Sequence, residues 1–171
     1  FNLGFSESEP PMTRPLLIIG NRNYSSWSLR PWILAKHLRI ELDEVRLALD
    51  TPTFRQQALA YSPSGRVPVL VHGKLTVAES LAIIEYLSEL ADGGGWPKDR
   101  LERARARSIA SEMHAGFGAL RQAYPMNIRA SDRRVAMTPA LAADIQRIDE
   151  IFVACRRTRS HHGPWLFGEY S

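Results

Sequence analysis

One stretch, VPVLVHGKLTVAESLAIIEYLSEL, residues 67–90, constrains the fold more than any other. VPVLV reads as a strand, HGK as a tight turn and LTV as a second strand, which together make a hairpin. Pro68 cannot donate to a ladder, so it belongs where its strand starts. A helix follows at once, from Ser80 to Leu90. Leu81, Ile84 and Leu87 lie on one face of it, with Ile83 and Leu90 beside them.

The chain upstream supplies partners for this unit. LLII, residues 16–19, reads as a buried strand. Leu29, Trp32, Ile33 and Leu38 recur near helical spacing, and Pro31 is tolerated if it falls in the first turn, where its missing N–H costs nothing. Residues 43–48 alternate like a half-buried strand, and Thr53 to Ala60 forms a short helix. The order is βαβα, then ββα, over about 80 residues. A mixed sheet with helices in this order matches the thioredoxin fold.

ADGGGWPKD breaks the pattern with three glycines and a proline, which places a linker at 91–98. Everything after it reads as helical. One helix is expected from about Asp99 to Ala123, with Leu101, Ile109, Met113, Phe117 and Leu120 recurring. A second starts at Thr138-Pro139, with threonine as cap and proline in the first position, and runs to about Arg157. The expected organisation is α+β. It has a leader at 1–13, a thioredoxin-like domain at 14–90, a linker at 91–98 and an all-helical region at 99–171. That last region reads as truncated. Two long helices cannot bury both their apolar faces alone, and the final serine resembles an N-cap with no helix behind it.

Composition excludes several classes. The 171 residues are 44% hydrophobic and 23% charged, as in ordinary globular proteins. No apolar run approaches the ~20 residues of a membrane helix, so no membrane partner is expected. The net charge of +4 comes mostly from arginines interleaved with acids. They read as solvated helix faces rather than a nucleic-acid surface. The single cysteine, Cys155, allows no internal disulfide and fits a cytoplasmic location. His161, His162 and Cys155 do not match a zinc spacing, so no metal is expected. His72 reads as an exposed turn residue, and His114 as a packing or interface residue.

The chemistry points to NYSSWSLRPW, residues 23–32. Three hydroxyls and an indole crowd a strand-to-helix junction. Serine there caps the helix by accepting a free N–H. The same junction can hold an anionic nucleophile.

These pieces in this order resemble the cytosolic glutathione transferase superfamily along roughly 14–171. NYSSWSLRPW is similar to the active-site motif of zeta-like and related bacterial members. SPSGRVPVLV resembles the superfamily's segment with a Val-Pro before a strand, and VAESLAIIEYL its Glu/Gln-Ser segment. EMHAGFGALRQAYPMNIR and GPWLFGEYS resemble the helical half of a bacterial subfamily.

The resemblance implies an enzyme that uses glutathione as co-substrate against a small electrophile, without metal, as a homodimer. It implies a cis bond at Val67-Pro68, with Val67 pairing to the cysteinyl backbone and Arg66 nearby. It implies that Glu79 and Ser80 hold the γ-glutamyl end. The thiolate, stabilised by a serine hydroxyl at the positive end of the first helix, is the nucleophile. Ser26 is the first candidate donor and Ser25 the next, with Ser28 mainly a cap. Trp27 walls the site or packs in the core, and Arg30 orients the loop. The other reading is a binding module of the same fold with no catalysis.

Overall fold

The computed structural model describes residues 14–158 and 162–170. The expected leader, His161 and the final serine lie outside the described residues. Four strands form one sheet in the order β2-β1-β3-β4: β1 Leu16–Ile19, β2 Asp43–Arg46, β3 Val69–His72 and β4 Leu75–Ala78. β1 runs parallel to β2, with Leu17 opposite Glu44, and antiparallel to β3, with Leu17 opposite Leu70. β3 and β4 form the expected hairpin.

α1 (Ser26–His37) and α3 (Ser80–Leu90) cover one face of the sheet, and α2 (Phe54–Leu59) covers the other. LLII is buried on both sides because successive side chains point to opposite faces. Leu17 and Ile19 join Leu34, Leu70, Ile83 and Leu87 in one cluster. Ile18 joins Leu47, Ala58 and Val69 in the other.

α1 starts three residues before the spacing predicts. Ser25 is its cap and accepts from the Ser28 N–H at 3.4 Å. Capping is therefore the work of Ser25, not of Ser28. The earlier start moves Pro31 out of the first turn, where it supplies no N–H to the Trp27 carbonyl.

The helical region holds α4 (Arg100–Ala115), α5 (Gly118–Ala123) and α6 (Pro139–Thr158). The single helix expected over 99–123 is two helices. Gly116 leaves the helix in extended geometry, and Phe117 follows in the left-handed region at φ 63°. That turn lets Phe117 pack with Ile151 and Cys155 of α6. Thr138 caps α6 as expected, accepting from the Leu141 N–H at 3.2 Å. Among the described residues no helix is long and apolar enough to cross a membrane.

Candidate glutathione-binding site

A cavity of about 380 Å³ lies where four segments meet, lined by Trp27, Ser64, Arg66, Val67, Pro68, Glu79 and His114. Trp27 comes from the first turn of α1. Arg66, Val67 and Pro68 come from the approach to β3, with the Val67–Pro68 peptide bond cis. Val67 lies beyond the ladder, which reaches only Val69. Glu79 and Ser80 form the junction between β4 and α3, and His114 reaches in from α4.

Glu79 occupies the N-cap position of α3 at φ 70°, ψ 127°, and its side chain makes no capping bond. A non-glycine residue held there stores strain of about 1–3 kcal/mol. The side chain points outward, 3.6 Å from Nε2 of His114. Ser80 is the first helical residue, and its Oγ is buried with no hydrogen-bond partner. It does not cap the helix, contrary to what its position in the sequence suggests. Such an orphan normally costs ~1–3 kcal/mol, so this hydroxyl calls for an acceptor or donor that the described residues do not provide.

The three serines of the first-helix motif divide. Ser25 Oγ donates to Ser28 Oγ at 2.8 Å, and Ser28 Oγ accepts from the Gly20 N–H at 3.1 Å. Residues 25 and 28 lie one turn apart and face inward, where they line a smaller cavity of about 180 Å³ with Leu29, Trp32 and Ile128. Gly20 permits this approach, because a Cβ there would stand 2.9 Å from Ser25 Cβ. Ser26 is half-buried and shares neither arrangement. Neither cavity lining includes Ser26 or Ser80. The structure thus brings Trp27, Arg66, Val67, Pro68 and Glu79 to one cavity and turns Ser25 and Ser28 toward another.

Three side chains surround Trp27. His114 packs edge-on against its indole at 5.2 Å. The guanidiniums of Arg30 and Arg121 lie over the same ring, 4.2 Å and 4.6 Å from its centroid. Burial first, and Arg121 second, pushes the Arg30 pKa down to about 10. His72, expected in an exposed turn, instead sits in β3 with Nδ1 2.8 Å from the Tyr86 hydroxyl. No group of three or more His, Cys, Asp or Glu among the described residues could hold a metal.

Comparison with known proteins places this geometry. The family model for the glutathione S-transferase N-terminal domain matches residues 24–90. A probable maleylacetoacetate isomerase of Caenorhabditis elegans is 32% identical over 108 residues, 63% of this chain and 50% of the relative. Glutathione S-transferase 1 of Dianthus caryophyllus is 40% identical over 106 residues, 60% of this chain and 46% of the relative. The chain thus spans about half the length of these curated relatives.

Solved structures share the fold at lower identity. A theta class glutathione S-transferase of Xanthomonas axonopodis pv. citri, solved with glutathione bound, superposes with TM-score 0.62 at 22% identity, covering 94% of this chain and 77% of that one. Glutathione transferase Omega 1C of Trametes versicolor superposes with TM-score 0.68 at 18% identity, covering 94% and 66%. Residues 24–90 thus match the glutathione S-transferase N-terminal domain, and the chain as a whole shares the fold of the solved glutathione transferases, a thioredoxin-like sheet followed by a helical region.

Proposed function

We propose that this chain binds glutathione along the rim from Val67 to Ser80 and presents its thiolate to a small electrophile, for conjugation or isomerisation. The observation that carries the reading is the buried, unpartnered Ser80 hydroxyl beside Glu79 at the start of α3. An amino-acid zwitterion needs an acceptor for its ammonium and donors for its carboxylate. Glu79 supplies the first. The Ser80 hydroxyl and the free N–H groups of the first turn supply the second. Val67, beyond the end of its ladder, offers its N–H and C=O to the cysteinyl backbone as a short strand addition. Arg66 lies alongside for the remaining carboxylate.

Ser26 is the donor to the sulfur. Ser25 Oγ already donates to Ser28 Oγ, which also accepts from the Gly20 N–H, whereas among the described residues no such side-chain bond engages Ser26 at the positive end of α1. A thiol is mostly protonated at neutral pH, with pKa ~8.5. A hydroxyl donating to the thiolate at a helix start lowers that value. The serine acts as donor, not nucleophile, and no histidine base is required. The single cysteine fits a cytoplasmic setting, and a homodimer is the expected assembly.

Calorimetric titration of reduced glutathione tests the reading. The native chain should bind, and Glu79→Ala should weaken binding at least ~10-fold, about 1.4 kcal/mol. Ser26→Ala should still bind but should no longer depress the thiol pKa, read from thiolate absorbance against pH. A folded chain that does not bind glutathione would leave a non-catalytic interaction module as the better account.

A further inference from the structure

We propose that Arg30 and Arg121, gathered over Trp27, form a subsite for a carboxylate carried by the second substrate. This deepens the reading above and rests on it, because the subsite stands one indole ring away from the rim assigned to glutathione.

The argument starts from charge balance. A guanidinium withdrawn from water is normally paired with an acid. Arg30 is half-buried in α1, and no hydrogen bond or ion pair to it is found among the described residues. The charge that bears on it is another cation, Arg121, and this repulsion adds to the effect of burial in lowering its pKa. Stacking on tryptophan returns only about 0.5–2 kcal/mol per cation. That does not explain why two like charges are brought to one ring with no counter-charge among the described residues.

Arg121 is also fixed in place. Its Nε donates to the Gly116 carbonyl at 3.0 Å, and its NH2 donates to the Met113 carbonyl. Both carbonyls belong to the open C-terminal end of α4. Dipoles of that sign hold the cation without neutralising it.

The arrangement adjoins the cavity through Trp27, and neither guanidinium is itself among the lining residues. Trp27 and His114 line the cavity and touch each other. Trp27 carries both guanidiniums on its ring. A small electrophile entering the cavity reaches the Trp27 side chain, whose ring carries the two cations. A planar or conjugated molecule bearing a carboxylate fits that chemistry, and a neutral hydrophobe leaves both charges unanswered.

Titration of nitrobenzoate and its uncharged counterpart nitrobenzamide, each with and without glutathione, tests the proposal. The native chain should bind nitrobenzoate at least ~10-fold more tightly, and added salt should shrink the preference. Arg30→Met and Arg121→Met should each lower nitrobenzoate affinity about 5- to 10-fold, with amide and glutathione affinities within about two-fold. Arg30→Lys should restore part of the preference, and unchanged thermal unfolding would show each variant folded. Equal affinity of the native chain for acid and amide would overturn the subsite, as would a preference that survives both methionine variants. A parallel loss of glutathione affinity would assign the two cations to glutathione's own glycine carboxylate, and would also overturn it. If glutathione fails to bind while the charge preference persists, the glutathione reading falls and the anion subsite stands.

Discussion

The two halves of the molecule bury their apolar residues to different depths. In the sheet half, Leu17, Ile18, Val69, Leu70, Ile83 and Leu87 are all 0% exposed. In the helical half the main cluster is Phe117, Ile151 and Cys155, while Leu101 is 70% exposed and Met137 60%. A sheet between helix layers shields both its faces, whereas helices packed against one another over a small contact leave an apolar side open. The difference suggests a division of labour. The deeply packed half carries Val67 and the Glu79–Ser80 junction, and the thin half lends individual side chains, His114 and Arg121.

The largest test of this contrast is a pair of truncations. Leu70→Ala should cost about 4 kcal/mol in chemical denaturation, since its site cannot collapse, and Ile151→Ala about 2. Equal losses would erase the contrast. Gly95→Ala comes next, because it sits at φ +85° and its new Cβ would meet Leu34 Cδ1 at 2.5 Å. A loss of about 2 kcal/mol is expected, seen as a lower midpoint for the sheet half.

Thr138→Ala removes the cap of α6 and should cost about 1 kcal/mol. Hydrogen exchange should rise in α6 and stay constant in β1 and β3.

The smallest effect is electrostatic. Glu44 is partly buried, which alone would raise its pKa. Bonds from Arg22 at 2.7 Å and from the Trp32 indole N–H at 2.9 Å outweigh that and hold the carboxylate below its ordinary range. A depressed pKa contributes stability above the unfolded value, ~4.3, which is lost as pH falls through the folded value. Glu44→Gln should therefore destabilise at neutral pH and converge with the native chain in acid, read from midpoints across that window.

Most of the sheet half was legible before any coordinates. Alternation, a hairpin turn and a strongly periodic helix are local signals, and β3, β4 and α3 fall within two residues of where the pattern puts them. What escaped depended on three-dimensional detail. Asp99 to Ala123 keeps its apolar period across Gly116, and Phe117 has no sequence mark of a left-handed residue, so the break was invisible. With it went Arg121, which reaches Trp27 only after the chain turns. His114 looked like a packing residue because its neighbours from α1 and the β4–α3 junction are distant in sequence. The sequence ranked Ser26 before Ser25 as donor and made Ser28 mainly a cap; the start of α1 at Ser26 gives the cap to Ser25 instead, and sets Ser25 and Ser28 on one side with Ser26 apart.

The turn at Gly116 and Phe117 also acts as a spacer with a fixed phase. One residue inserted there would re-aim α5 and carry Arg121 off the Trp27 ring. The rim from Val67 to Ser80 would be untouched. Chains with the same sheet and a longer or shorter joint at this point would thus keep the rim while losing the paired cations on Trp27.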